Sequence, residues 1–385
     1  MAGDEGAKAV RSWAGFSKLR ESKLAGWLYV ASQRLYQRRS SKCAIFFPDQ
    51  LYTGSAGDLR AVAVARELRH LGWRTIVVPP WLDLNARQSI VQSEPGASLF
   101  LQQSRHPLNR PSLYPGRISV FDADDADILN QPEQVVECLR GSAAVIAGSE
   151  FLASQFRLHN PDVTVIWTGT YVGRPTIPDA VSSIPTLVWA QSNPFDYPHE
   201  KDLMLSLWRR LAESGIRFEV MVYSLEPEHV AQWLEPLTRL GIAHRTCPRM
   251  RYRQFVASLA GAAIGLQPIC TSYRYSQGKS FGKVLAYIVA GVPVIASDEV
   301  DHGRFFRSGE NGMLVKGLED WVDACKFLLA EPDVRQRISE QAYKDLCEHL
   351  STRAAAEKVD RVLSAARLKS VPADRLPLTE TSTFS

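Results

Sequence analysis

Residues 278–297 read GKSFGKVLAYIVAGVPVIAS, and the grammar of this stretch decides the fold. SFGKVLAYIVAG carries apolar side chains at helical density and stops at Gly291, a residue that closes helices without a steric cost. VPVIAS then reads as a short buried strand, with Pro293 at its start, where no ladder N–H is lost. The same alternation extends in both directions. Upstream, AAIGLQPI (262–269), FEVMVYS (218–224) and TLVWAQS (186–192) read as strands. Between them, RQFVASLAG (253–261), EHVAQWLEPLTRLG (228–241) and DLMLSLWRRLAESG (202–215) read as helices. Downstream, residues 319–331, 334–349 and 352–368 have helical spacing. Strands that alternate with helices predict a parallel sheet covered on both faces.

The first half of the chain repeats the pattern. CAIFFPD (43–49) is a buried-strand run that enters a glycine loop, LYTGSAGD (51–58). A helix, LRAVAVARELRHLGW (59–73), and a strand, TIVVPP (75–80), complete a βαβ unit. A polar, Pro-rich stretch leads to the strand RISVFDADDADI (117–128). Then follow AAVIAGS (143–149), the helix EFLASQFRLH (150–159) and the strand VTVIWTG (163–169). Pro-punctuated residues 172–185 read as a linker. The reading predicts an α/β chain with two Rossmann-like doubly wound domains, residues 42–175 and 176–350, a basic segment before them (1–41) and a disordered tail after (369–385).

Composition narrows the class further. The chain has 385 residues, 45% hydrophobic and 22% charged, which excludes a fibrous repeat, a disordered chain and a small disulfide scaffold. The longest nearly apolar run, Val284 to Ala296, has about 13 residues where a bilayer span needs roughly 20. The six cysteines are scattered without a CxxC pair, and no secretory leader is expected, so a cytoplasmic setting follows. The eight histidines form no HxxxH or HxH cluster, and no metal site is expected.

Charge is unevenly placed. Residues 1–42 hold nine Lys/Arg against three Asp/Glu, a balance of +6 that leaves −2 for the rest, so nucleic-acid binding is not expected. Within this segment Trp13, Phe16, Leu24, Trp27, Ala31 and Leu35 recur at helical spacing. Two readings fit: an interfacial helix giving peripheral membrane contact through residues 11–39 at the inner face of a membrane, or a helix packed on the first domain with solvated cations.

Two successive doubly wound domains place a cleft between facing carboxyl ends of strands, where helix N-termini and loops receive anionic ligands. That physics suits nucleotide-sugar transferases, epimerases, dehydrogenases and solute-binding proteins alike. The segment 278–342 narrows the choice, because it resembles the donor-binding half of GT-B-fold glycosyltransferases of the group-1/family-4 class. Its closest likeness is to the branch whose helix opens with Gly-Lys four residues before a second lysine. Residues 143–156 and 163–172 resemble the end of that class's first domain, TLVWAQSNPF its first second-domain strand, and GLQPI the strand before its donor loop.

The resemblance implies a glycosyltransferase that moves a sugar from a nucleotide-sugar co-substrate to a saccharide, lipid-linked or other acceptor. It implies retention of configuration, no metal and no further cofactor, and a final helix, 351–368, that crosses back to the first domain. A departing diphosphate gathers negative charge, which lysines, backbone amides and a helix dipole can meet. Lys279 and Lys283 are implied to face it, helped by Ser280 and the amides of Phe281 and Gly282, while Gly278 allows close backbone approach. Many members carry two glutamates separated by seven residues here, the second on the nucleotide ribose. Gly278 and Ala286 stand at those positions. The alternative function is therefore a GT-B-like binding or scaffold subunit without catalysis, and a nucleotide-sugar epimerase is a second enzymatic rival.

Further motifs complete the candidates. Gly278-Lys279-Ser280 resembles the end of a phosphate loop, but the earlier glycine that loop requires falls at Tyr273. Asp122 and Asp124 follow a strand, and either an acceptor-orienting role or an acidic turn that caps the next helix fits them. With Lys283 they are the candidate catalytic residues. Gly54, Ser55 and Gly57 form the glycine loop on the acceptor side. His199 and Lys201 follow a second-domain strand where the class often places a phosphate-binding cation, and Glu299 and Asp301 follow VPVIAS beside the donor. His302 reads as a surface residue.

Overall fold

The computed structural model describes residues 21–35, 37, 40–51, 56–175, 184–191, 194–223, 234–248 and 250–369. Two six-stranded, wholly parallel sheets organise them. The first comprises β1 (Cys43–Phe47), β2 (Arg74–Val77), β3 (Ser98–Gln102), β4 (Ser119–Ala123), β5 (Ala144–Ala147) and β6 (Val163–Val165), in the order β2-β1-β3-β4-β5-β6. The second comprises β7 (Thr186–Trp189), β8 (Glu219–Tyr223), β9 (Ala243–Cys247), β10 (Ile264–Gln267), β11 (Val294–Ser297) and β12 (Met313–Val315), in the order β12-β11-β10-β7-β8-β9. In each sheet the chain winds one way from the first strand and then returns to its other side. The reversals lie between β1 and β3 and between β7 and β10, where ligand crevices form in doubly wound sheets.

Burial explains the strands. β1, β3, β4 and β5 are buried along their whole length and need no alternating polar face; β1 (CAIFF) and β5 (AVIA) are apolar throughout, while β3 and β4 carry buried polar residues at or near their ends. Helices cover both faces, and the final helix, α12 (Thr352–Lys369), joins the first domain. Its Ala356, Val359 and Leu363 pack with Val64, Leu68 and Phe100. The two crossings between domains lie side by side: Thr170 N donates to Leu350 O and Thr352 N to Thr170 O, both at 2.9 Å.

Three sequence expectations are corrected here. The Pro-rich stretch before residue 117 contains α3 (Leu84–Gln92) and the central strand β3, whose SLFLQ run is short and hidden between polar flanks. The helix expected from Ser280 begins only at Val284 and ends at Val289 (α8), because Gly282 adopts φ +32°, outside the helical region. β9 is an exposed edge strand of sequence AHRTC, which no apolar alternation announces.

The basic segment is described from residue 21. α1 (Lys23–Leu35) lies against the free edge of the first sheet. Gln33 receives the N–H of Val77 and donates to its carbonyl, both at 2.9 Å. Gln37 does the same for Thr75, at 2.8 and 2.7 Å. Two side-chain amides thus act as a surrogate strand for the alternate residues of β2 whose backbone groups face outward.

Candidate active site in the interdomain cleft

A cavity of about 380 Å³ opens between the two sheets' carboxyl ends. From the second domain come the loops after β7 and β10 (Ala190, Gln191, Gln267, Pro268) and an aromatic wall that includes Tyr223, Tyr252 and Phe255. Lys279, Ser280, Gly282 and Lys283 form its floor. From the first domain come Ala56, Leu59, Asp124, Asp125 and Thr168.

Lys279 sits at the end of a single 3-10 turn, Arg274–Gly278, and its amide donates to Ser276 O at 3.1 Å. Its ammonium lies 3.4 Å from the centre of the Tyr197 ring. Burial, reinforced by the like charge of Lys283, pushes it down to about 7, against the attraction of Glu200 and Asp125. Glu200 is 1% exposed and ties down the loop before Lys279. It accepts from Cys270 N at 3.1 Å and from Ser276 Oγ at 3.2 Å. Lys283 stands at the N-cap of α8 instead of inside its first turn.

On the facing domain, a π-helical turn over Gly57–Ala63 follows the glycine loop. Such turns recur at functional sites. Its Arg60 grips Asp122 through both carboxylate oxygens, at 2.5 and 3.0 Å, and also donates to Ile166 O and Thr168 Oγ1. Burial opposes the charge of Arg60, but Asp122 and Asp124 raise its pKa overall. Asp124 points into the cavity, taking hydrogen bonds from Gln103 Nε2 and Thr168 Oγ1. Burial pushes its carboxyl up to about 7; Arg60 opposes this and the neighbouring Asp125, Asp122 and Asp49 add to it. Asp49, just past β1, is pushed up to about 6 by burial against the pull of Arg105. Arg105 in turn pairs with Asp125 and Asp127, at 2.5 and 2.7 Å.

The domains touch beside the cavity. Asp301 Oδ2 accepts from Glu150 N at 3.0 Å and from the Trp167 indole N–H at 2.7 Å. Ser149 Oγ donates to Gly278 O at 3.2 Å, and Arg304 pairs with Glu150 at 3.6 Å. A Cβ on Gly278 would stand 2.6 Å from that of Ala126, so this glycine is fitted to the opposite domain.

The residues singled out from sequence therefore divide. Lys279, Ser280, Gly282, Lys283 and Asp124 meet around the cavity. Asp122 is 1% exposed and committed to Arg60, so it positions the wall and is closed to an acceptor, which corrects its expected role. Phe281 is buried against Trp167 and Phe305, leaving only its backbone for a ligand. Lys201 lies over the Phe195 ring and pairs with Asp202, and Glu299 takes a hydrogen bond from Thr271; neither lines the cavity. Gly57 is buried at the start of the π turn, where a Cβ would lie 2.4 Å from Gln50 O. Gly54 and Ser55 lie outside the described residues.

His302 is not a surface residue. It is wholly buried beneath Phe281, its Nδ1 2.9 Å from Ser297 O, and burial holds it below the ordinary histidine value. Sequence reasoning passed over Glu200, although it stands in register with the buried Met204, Leu207, Trp208 and Leu211 of α6 (Pro198–Glu213). That period was a readable signal for an inward carboxylate. Asp49 and Tyr197 had none. Among the described residues no group of three or more His, Cys, Asp or Glu could hold a metal ion.

Comparison with known proteins bears on the fold. The family model described as glycosyl transferase-like matches residues 201–360. No curated protein matches the sequence significantly. Among solved structures, Anabaena HepE in complex with UDP and glucose is similar at 16% identity and a TM-score of 0.64, covering 84% of this chain and 100% of its own. Sucrose-phosphate synthase from Thermosynechococcus elongatus is similar at 10% identity and a TM-score of 0.65, covering 86% and 100%. The lipopolysaccharide outer core galactosyltransferase WaaB is similar at 10% identity and a TM-score of 0.58, covering 84% and 99%. With two facing parallel sheets, a family match over residues 201–360 and these neighbours, the chain has the fold of the GT-B glycosyltransferases.

Proposed function

We propose that the chain is a glycosyltransferase that takes a nucleotide-activated sugar in the interdomain cavity and passes the sugar to an acceptor entering from the first domain. One observation carries the reading: Lys279 and Lys283 line the second-domain side of a closed cleft, with the Asp124 carboxyl on the first-domain side. In the reaction the bond from the sugar's anomeric carbon to the diphosphate breaks and a bond to the acceptor oxygen forms. The electron pair leaves with the diphosphate, whose growing charge the two lysines and the amides of Ser280 to Gly282 meet without a metal. Asp124, its carboxyl held near 7, accepts the hydrogen bond of the incoming hydroxyl and takes its proton as the new bond forms. The aromatic wall at Tyr223 and Phe255 takes the base. The class resemblance implies retention of configuration, and closure over Gly278 and Asp301 excludes water from the donor.

Thermal shift against UDP, GDP, ADP, CMP and their sugar conjugates tests this, with UDP first because HepE was solved with UDP and with UDP-glucose. A ligand at 100 times its Kd stabilises the folded chain by roughly 2.7 kcal/mol. Response to one diphosphate, lost in Lys283→Ala, is the expected result. Gly278 and Ala286, where many members of the class carry glutamates, favour the second reading, a binding or scaffold subunit. Silence across the whole panel would establish that reading in place of the first.

A further inference from the structure

The helix α1 is mounted with its amphipathic sense reversed. The residues that hold it to the first domain are Gly26, Val30, Gln33 and the partly buried Trp27, with the ion pairs Lys23–Asp83 and Arg34–Glu94 and with Gln37 just beyond its end. Gly26 lets the backbone come so close that a Cβ there would lie 2.7 Å from the Leu82 side chain. The outward face carries Leu24, Leu28, Ala31 and Leu35, spaced four, three and four residues apart, which places all four on one stripe. The leucines are 70%, 62% and 82% exposed, three of the nine exposed large hydrophobic side chains among the described residues. A helix held only for its own packing would turn this stripe inward. Here hydrogen bonds to the edge of β2 fix the opposite orientation, so the leucines are left for something outside the domain.

We infer that this stripe docks the protein on an anionic lipid surface. Charge decides the partner first: the helix's own Lys23 and Arg34 pair with Asp83 and Glu94, but the sequence flanking it adds six Lys/Arg, four within residues 1–20 and two at 38–39, against three acidic residues. A basic excess in the sequence that flanks a leucine stripe suits anionic headgroups above acyl chains. Area argues the same way. Four side chains bury about 400 Å² per copy, roughly 800 Å² for a pair, whereas specific protein interfaces begin near 1,200 Å². A second copy of this chain would be held too weakly by the stripe alone, but a bilayer accepts a shallow row of leucines without a matching surface. Geometry adds a direction. Gly26 sits beside Trp81 and Leu82, past the carboxyl end of β2, and Gln37 reaches back to Thr75. The helix therefore starts at the end of the sheet on which the cleft opens. The inference goes beyond the donor reading and stands without it.

Vesicle co-sedimentation of the full chain tests the docking with no substrate present. Phosphatidylcholine vesicles containing about 30% phosphatidylglycerol are expected to pellet the protein, pure phosphatidylcholine much less, and raised salt to weaken the effect. The triple variant Leu24→Gln, Leu28→Gln, Leu35→Gln is expected to bind at least roughly tenfold more weakly, with an unchanged melting temperature because the three side chains are exposed. Failure of the wild type to pellet overturns the inference, as does equal pelleting of the variant. So does a wild-type dimer in light scattering that the same substitutions dissociate, since a second copy would then be the occupant.

Discussion

Lys279→Met removes a charge that the fold holds at a cost, and the cost sets a measurable pH dependence. In the folded chain Lys279 titrates near 7 through burial and the nearness of Lys283, whereas an unfolded lysine titrates near 10.5. At about 1.4 kcal/mol for each tenfold change in proton affinity, its charged form is disfavoured by roughly 5 kcal/mol. The unfolded chain therefore binds more protons between pH 7 and 10.5, and stability rises with pH across that window. The penalty is complete below pH 7 and gone above 10.5. A diphosphate in the cavity would offer Lys279 a direct counter-charge and restore the proton. Above pH 7 each ligand bound takes up close to one proton, and Kd rises about tenfold per pH unit up to the pKa of the complex. Isothermal titration calorimetry at pH 8, repeated in buffers of different ionisation heat, counts that proton directly. Lys279→Met should abolish the uptake, weaken binding, and raise stability at pH 6 by more than at pH 9. A Kd that is flat from pH 7 to pH 9, with heats independent of buffer, would refute the assignment of Lys279 to the donor phosphates.

The remaining tests address other parts of the cleft. Arg60→Met leaves Asp122 buried without its partner and should cost about 3–5 kcal/mol in denaturant unfolding; a loss below 1 kcal/mol would show that the pair is not a structural support. Gly278→Ala drives a methyl into Ala126 and should hold the domains apart, weakening donor binding several-fold at an overpacking cost of about 1–3 kcal/mol; unchanged affinity would show that this contact does not govern closure. Asp301→Ala removes two charge-assisted hydrogen bonds across the domains, each worth about 1.5–3 kcal/mol, and small-angle scattering should report a larger radius of gyration. Glu200→Gln keeps the acceptor for Cys270 N and Ser276 Oγ while deleting the charge, so the Lys279 inflection in the affinity profile should move below pH 7.

Much of the fold was legible because doubly wound domains announce themselves locally. The runs CAIFF, AVIA, TLVW and VIAS are buried strands beside helices whose apolar spacing is plain. β3 was not legible. Its SLFLQ core is set by insertion between β1 and β4, a pairing decided more than fifty residues from β1 and invisible to local periodicity. The site divided in the same way. Lys279 and Lys283 were found because a resemblance pointed to them, and Asp124 because a strand ran into acidic residues. His302 was misread because Phe281 and Phe306 pack on its ring, and a polar residue within the string DEVDHGRFF gives no hint of that. α1 was read by its aromatic content, but glutamines decide which way it faces.

Those long-range choices bear on the missing glutamates. At Gly278 a side chain would collide with Ala126, and Ala286 is wholly buried in α8, so neither position has room to offer a carboxylate to a ligand. Negative charge near Lys279 arrives by other routes: Glu200 from α6 in its own domain, and Asp125 from the opposite one. The second route exists only while the cleft is closed, and Asp125 is also tethered to Arg105, which touches Tyr275 of the 3-10 turn before Lys279 at 3.4 Å. Opening the cleft would take Asp125 away from Lys279, but it would also admit water to a lysine whose proton is disfavoured chiefly by burial. Burial is the larger influence and it grows as the cleft closes, so closure holds the proton off Lys279 until an anion enters; on the donor reading, the bound diphosphate is what charges this lysine in the state that excludes water.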